Sequence, residues 1–491
     1  MHTMAQLTRQ QIAPVPTAPP RESTGRILLR AFTVALFAAC FGHTALWNLL
    51  GVWSTVLLGA LAAATVAVWV PLIVRGARDH DDDPSDQRVQ VAPLAWRRLP
   101  WAALGYLALA GASIAWSQWP SASAATWGLL IGTTLPALFA AHVLTWGELL
   151  RTIELALKWI VGLSLLLELW AALVLHGPIA PNFVDLADDP DPQIYWTRGD
   201  LFDTDMRIQG LVGNANVLGI ICLIAIIVIG ARMTDRRQGR IGQALWIAVA
   251  AVLYVRAGSA TSHVATAVAL AVLVVALLMR RAPSSRARGR LYAVVFAVGA
   301  AVIVTIVALW DQVTDLLGRS DSLSGRDRIW AAVWERASAH PVIGNGFSTP
   351  WVPWHPAFQG WIVDHNLTVF HAHDMWLDVF LQLGVIGVAV MAVVYGSAAW
   401  RAWFFAVDRP RWDLERGRPF SASALVPALI IAVLLTQGLT ESGPLMLWGW
   451  MLMAALTFRI KLAPIVGVGA AESPRGLPTY AAAWVQGSAA R

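Results

Sequence analysis

Lysine is almost missing from this chain: among 36 basic side chains, only Lys158 and Lys461 are lysines and the rest are arginines. Charge of either sign is scarce too, at 13% of 491 residues, where a soluble protein carries about a quarter. That scarcity argues against a soluble globule. Cysteine is down to Cys40 and Cys222, each inside an apolar run. They offer no metal spacing and no disulfide framework. The net charge of +6 would suggest a nucleic-acid partner in a soluble protein. Here the arginines sit in short loops between apolar runs, so membrane topology accounts for them and no nucleic acid is expected.

What the chain has is apolar length. It is 57% hydrophobic, with a mean hydropathy of +0.58. A helix needs about 20 apolar residues to cross a bilayer, and such runs recur from about 28–46 to about 443–460. The pattern predicts an all-α polytopic membrane protein with about twelve transmembrane helices. The first run follows Arg21, Arg26 and Arg30 with no convincing small-residue cleavage site behind it, so it reads as a span rather than a signal peptide. Loops 75–98, 232–242, 280–290 and 401–420 are rich in arginine. They alternate with 47–51, 118–122, 258–260 and 441–442, which have neither arginine nor lysine. Positive charge collects on the cytoplasmic side. Both termini are therefore expected inside, with two long extracytoplasmic loops, about 176–210 and 311–374. The expected organisation is a disordered cytoplasmic N-terminus 1–26, a polytopic domain 27–463 and a disordered cytoplasmic tail 464–491. The halves show no internal repeat, which weighs against a transporter built from repeated halves.

Ionisable groups beside a membrane are costly and read as functional by default. They concentrate between Leu323 and Gly387. Arg326 follows Ser324-Gly325, where a tight turn would expose backbone N–H groups, and a guanidinium fork matches phosphate geometry. Arg326 and Arg328 lie against the inside bias of positive charge; snorkelling, or pairing with Asp327 or Asp321, is the alternative. Arg207 precedes Gly210, and Asn216 sits about a turn inside the next span, where a buried amide needs partners. His371 and His373 share a side if the segment is extended. Asp374 is placed to cap the helix that starts at Met375, and the positive end of that helix disfavours an imidazolium at His373. A neutral imidazole suits a general base; interfacial capping of loop carbonyls is the alternative. Two histidines are an incomplete ligand set, so no metal and no cofactor is expected. Trp351, Trp354, Phe358 and Trp361 suit either sugar stacking or an interfacial aromatic belt.

In order along the chain, these segments resemble the O-antigen ligase and polysaccharide polymerase superfamily of bacterial membrane proteins. Ser113-Ile114-Ala115-Trp116-Ser117-Gln118-Trp119-Pro120 is similar to an early signature of that family, and Arg207 with Gly210 and Asn216 to another. Gly258-Ser259-Ala260-Thr261-Ser262 resembles its serine-rich turn, with His263 where an arginine is common. Ser324-Gly325-Arg326 with Trp330, Pro341, Gly344 and Gly346 is the most specific match. His373 with Leu377, Gly384 and Gly387 is the second, with Asp374 where the family often has asparagine.

The resemblance implies a multi-pass glycosyltransferase of the bacterial cytoplasmic membrane. Its donor would be a polyprenyl-diphosphate-linked glycan and its acceptor a hydroxyl of a glycan, lipid or protein, with membrane lipid around both. On that reading His373, His371 and Arg326 are catalytic, Arg207, Arg326 and Arg328 bind the diphosphate, and Asn216, Gly325 and Asp374 support them. The alternative is a twelve-span transporter or exporter, for which Glu168 is the clearest mid-span charge.

Overall fold

Backbone amides in hydrocarbon must be satisfied within their own segment, and helices do that. The described residues are mostly helical. The computed structural model describes residues 24–76, 94, 96–182, 191–235, 239–309, 312, 320–364, 367–408 and 420–462. The expected disordered tail 464–491 and residues 1–23 lie outside these, as do Arg319 and most of loop 401–420. Residues 24–26, expected to be disordered, open the first helix instead. There both a guanidinium N–H pair of Arg26 and the Glu148 carboxylate meet at 2.6 Å, fixing the first turn.

The helices in chain order are α1 (Thr24–Phe41), α2 (His43–Leu50), α3 (Trp53–Gly76), α4 (Trp101–Ala112), α5 (Pro120–Val143), α6 (Trp146–Trp170) and α7 (Ala215–Asp235). They continue with α8 (Arg240–Ala257), α9 (Ala260–Arg281), α10 (Ser285–Ala308), α11 (Ser320–Ser338), α12 (Met375–Val407), α13 (Val426–Gln437) and α14 (Leu447–Leu462). Among the described residues nine helices are long and apolar enough to cross a membrane, and the segments Trp101–Trp116 and Ser423–Gln437 are shorter apolar helices. Helix α10 exposes Val294, Phe296, Val302 and Val307 on its sides. Such a surface has no place in water and suits lipid.

A second hydrophobic cluster lies apart from the bundle core. It joins Ile329, Val333 and Ala337 on one face of α11 to Trp119, Trp351, Phe358, Val369 and Leu381. The spacing of four residues puts the α11 side chains on one stripe. The Arg336 guanidinium stacks 4.2 Å from the Trp361 ring centre and 5.4 Å from that of Trp119. Trp351 and Phe358 are therefore packed inside this cap and have no face to offer a sugar. Trp354 is 64% exposed and stacks on Trp47 at 5.8 Å.

The cap is spliced into the bundle at a break in α12. Gly384 has φ 61° and ψ −162°, a conformation that only glycine holds readily. The amides of Val385 and Ile386, freed by the break, donate to the carbonyls of Pro341 and Val342 at 2.8 and 3.2 Å. In return the carbonyls of Leu381 and Gln382 accept the amides of Asn345 and Gly346 at 3.0 and 2.9 Å. The approach is so close that a Cβ on Gly344 would lie 2.3 Å from the carbonyl carbon of Gln382, and one on Gly384 2.3 Å from the carbonyl oxygen of Val342. The Ser113–Pro120 segment holds the other side of the same loop. Ser113 Oγ accepts the Phe347 amide at 2.9 Å, Gln118 N donates to Asn345 O at 2.8 Å and Trp119 Nε1 to Gly346 O at 3.1 Å. Three family-like motifs are thus one structural splice.

This predicts that Gly344→Ala and Gly384→Ala each destabilise by more than the roughly 1–3 kcal/mol of backbone strain alone, because a clash is added. Gly396→Ala, with nothing within 4 Å, should be neutral. Thermal unfolding of purified variants, followed by size exclusion, separates the two classes; equal midpoints would contradict the splice.

Candidate functional site

Beside the splice, five segments converge on one buried carboxylate. Glu441 stands in the loop between α13 and α14 and is 3% exposed. Its Oε1 accepts Arg326 Nη2 at 3.0 Å and Asn216 Nδ2 at 3.0 Å. Its Oε2 faces His373 Nδ1 at 3.0 Å. Arg326 also donates from Nη1 to Thr440 O at 2.9 Å. Arg207 donates from Nη2 to Asn216 Oδ1 at 2.8 Å and from Nε to Ala257 O at 2.9 Å. Ser259 Oγ donates to the same Asn216 oxygen at 3.0 Å. Arg207, Asn216, Glu441, Arg326 and His373 therefore form one connected network.

The local sequence explains each position. Asp374 caps α12 by accepting the Leu377 amide at 2.8 Å, and the residue before it, His373, is turned into the left-handed region at φ 52°. A non-glycine residue there is strained, and such strain gathers at functional sites. His371 Nδ1 accepts the His373 amide at 3.1 Å, and Trp330 Nε1 donates to Ala372 O at 3.0 Å. Asp378, fully buried one turn into α12, accepts Trp351 Nε1 at 2.9 Å, Gln382 Nε2 at 3.0 Å and, at a longer 3.4 Å, the Ala372 amide. The two-histidine turn is thus held from both sides. The loop bearing Glu441 is tied to α12 by Met375 N donating to Gly438 O at 2.8 Å, and to α9 by the hydroxyls of Thr261 and Thr440 at 3.0 Å.

The Arg207 side is held by Glu168. Its Oε1 accepts the amides of Gln209 and Gly210 at 3.2 and 2.7 Å. Gly210 has φ 59° and lies against Ser164. The mid-span carboxylate is therefore a local anchor for a loop. Gly258 closes α8 in the left-handed conformation, and Ser259 opens α9 by accepting the Ser262 amide. The serine-rich turn points one of its hydroxyls at the network, while His263 is exposed and meets the Tyr254 ring edge to face.

Two expectations shift. Ser324 and Gly325 do not form a tight turn: they lie within α11, and of the two arginines that follow them Arg326 reaches the cluster. Arg328 is exposed on α11 and is not brought to the network, since two residues along a helix point roughly opposite ways. Glu441 was passed over in the sequence. A signal existed: it is the one carboxylate between Glu415 and Glu472, in a short polar turn between two apolar runs.

Electrostatics define the roles. Burial raises the Glu441 carboxyl, but His373 and Arg326 outweigh it and hold the group well below the usual carboxylate range. A carboxylate only accepts, so His373 Nδ1 carries the proton between them, and in the neutral ring the lone pair then lies on Nε2. Burial pushes the His371 imidazole down to about 3, and His373 adds to the shift. His371 is neutral, 8% exposed, and holds the His373 backbone. His371, His373 and Glu441 each offer one donor atom, all within 4.8 Å of one another. The fold thus assembles three possible metal donors where the sequence displayed two.

Comparison with known proteins agrees on the family. Residues 243–392 match the model of the O-antigen ligase family. Over 162 residues the chain is 28% identical to the exopolysaccharide production protein ExoQ of Rhizobium meliloti, a match that covers 30% of this chain and 35% of that protein. The chain thus matches about a third of its relative's length. The family region contains Ser259, Arg326, His371 and His373; Arg207, Asn216 and Glu441 join it through the fold.

The buried pair sets a pH response. The folded chain depresses His371 from 6.5 to about 3 and depresses Glu441 as well. Below 6.5 the unfolded chain protonates His371 and the folded one does not, so stability falls as pH drops, by up to about 1.4 kcal/mol per pH unit and proton; Glu441 adds to the fall only lower, from the usual carboxylate range down. In chelator-containing buffer, the unfolding midpoint should fall between pH 7 and 5, and His371→Asn should flatten the fall. Identical slopes would contradict the assignment.

Proposed function

For a chain whose residues 243–392 match the O-antigen ligase family, we propose a membrane glycosyltransferase that moves a glycan from a polyprenyl diphosphate to a hydroxyl acceptor outside the cytoplasmic membrane. The observation that carries this reading is the network in which Arg207 and Arg326 share Asn216 and Glu441 with His373. It sets cations suited to a diphosphate beside an imidazole whose Nε2 is free to take a proton.

The steps follow from the atoms. Each guanidinium carries five N–H donors in a rigid fork. Arg207 and Arg326 hold the diphosphate and stabilise the charge that develops on it as it leaves. His373 Nε2 takes the proton of the acceptor hydroxyl, whose oxygen attacks the anomeric carbon. The bond from that carbon to the diphosphate oxygen breaks, and its electron pair leaves on the phosphate. One displacement inverts the anomeric centre. Glu441 fixes the tautomer of His373 and balances the imidazolium that forms. His371 holds the backbone of His373 rather than touching the acceptor. The relative is named for exopolysaccharide production, which favours a cell-surface polysaccharide as product. The transporter alternative gains little from Glu168, whose Oε1 accepts the amides of Gln209 and Gly210 and so anchors that loop.

The topology proposed with this reading has about twelve spans, both termini inside, and the cap with its cluster outside. The nine long helices are joined in this count by the segments Trp101–Trp116, Ser423–Gln437 and Leu447–Leu462.

With a purified lipid-linked donor, His373→Ala should lower turnover by roughly 10²–10⁴-fold with donor binding kept. Arg326→Lys should lose most of both donor binding and turnover, since lysine keeps the charge but not the fork. Normal turnover in both would remove the cluster from the reaction. In intact cells, cysteines at Gln359 and Ser285, both exposed, should label from opposite sides; labelling from the same side would overturn the topology.

A further inference from the structure

We propose that His371, His373 and Glu441 bind a divalent transition ion of the zinc class as an inhibitor, the ion displacing the proton that lies between His373 Nδ1 and Glu441 Oε2. The inhibition rests on the reading of His373 as base; the binding does not.

Two imidazoles and one carboxylate are a set that zinc takes readily, with a fourth position left for water. Two of the donors already face each other, with His373 Nδ1 and Glu441 Oε2 3.0 Å apart. Ligands that each lie about 2.0–2.1 Å from one ion have about that separation. The carboxylate is held for the task, because Arg326 and Asn216 occupy Oε1 and leave Oε2 to the ion. The third donor is at hand: the rings of His371 and His373 meet edge to face with centres 4.0 Å apart. His371 Nδ1 accepts the His373 amide, so its lone pair is free of a proton. Ligation takes that lone pair from the amide, which holds the affinity below that of a closed structural site.

The tautomer makes the ion an inhibitor. Without metal the neutral His373 ring carries its proton on Nδ1 and a lone pair on Nε2. An ion on Nδ1 moves the proton to Nε2, and the ring gains and loses none. Nε2 is then a donor and no longer takes the proton of a hydroxyl. The arginines still hold the donor, so binding continues while chemistry stops.

The test uses full-length protein in nanodiscs, stripped with chelator and titrated with zinc chloride by calorimetry, with cobalt absorption reporting tetrahedral coordination. One ion per chain is expected, bound at least about tenfold more weakly by His371→Asn. That variant keeps an acceptor near the His373 amide, and its unfolding midpoint controls for loss of fold. Transfer is expected to run in chelator and to fall at least roughly tenfold at saturating zinc, with donor binding unchanged. Absence of a stoichiometric ion, or an affinity indifferent to His371→Asn, overturns the site. A transferase that keeps its rate with zinc bound, or that needs the ion, overturns the inhibition. A chain that transfers no glycan under any condition defeats the enzymatic reading alone, and calorimetry still decides whether the site exists.

Discussion

A carboxylate in a place without water must be matched by donors or cations, and Glu441 is the group on which this end of the molecule depends. Its two oxygens divide the labour. Oε1 holds Arg326 and Asn216, and through Asn216 reaches Arg207; Oε2 takes His373. Removing one partner of a buried charge pair leaves the other uncompensated, at about 3–5 kcal/mol. The same residue therefore couples the groups suited to a phosphate with the group suited to a proton.

Around that carboxylate the fold spends its unusual backbone on placement. The break at Gly384 lets one helix serve two purposes. Its first turns belong to the cap and present His373 and Asp374, while the remainder runs down the bundle. The loop 341–346 fills the break, and the segment 113–120 backs the loop. Asp378 and Glu168 act at a distance from the cluster, each holding backbone amides that set the direction of a chain segment. Carboxylates that accept backbone amides in this way fix the direction of the segments they hold.

The sequence displayed the helices because apolar length is read directly from composition, and it displayed Arg207, Asn216, Arg326, His373 and Asp374 because polar groups stand out against lipid-facing runs. It hid what depends on three-dimensional pairing. Glu441 is 68 residues from His373, and no spacing rule joins them. The glycines Gly344, Gly346 and Gly384 were visible as part of a resemblance, but their reason, a close approach of two backbones, appears only when both are placed. The sequence set Arg326 above Arg328 by its motif alone; the helix phase of α11 supplies the physical reason. Trp351 and Phe358 suited a sugar face by type and lie instead inside the cap. Residues 24–26 were read as tail because the apolar run was taken to start near Ile27, and they open α1, where Arg26 pairs with Glu148.

The central claim is that Glu441 and His373 act as one unit, and a double-mutant cycle of transfer rates tests it most directly. Residues that act together lose activity non-additively. Glu441→Gln and His373→Ala should each slow turnover, and the double variant should lose clearly less than the product of the two single losses. A double variant whose loss is the product of the two single losses would contradict the coupling and leave Glu441 as a structural ion-pair partner of Arg326.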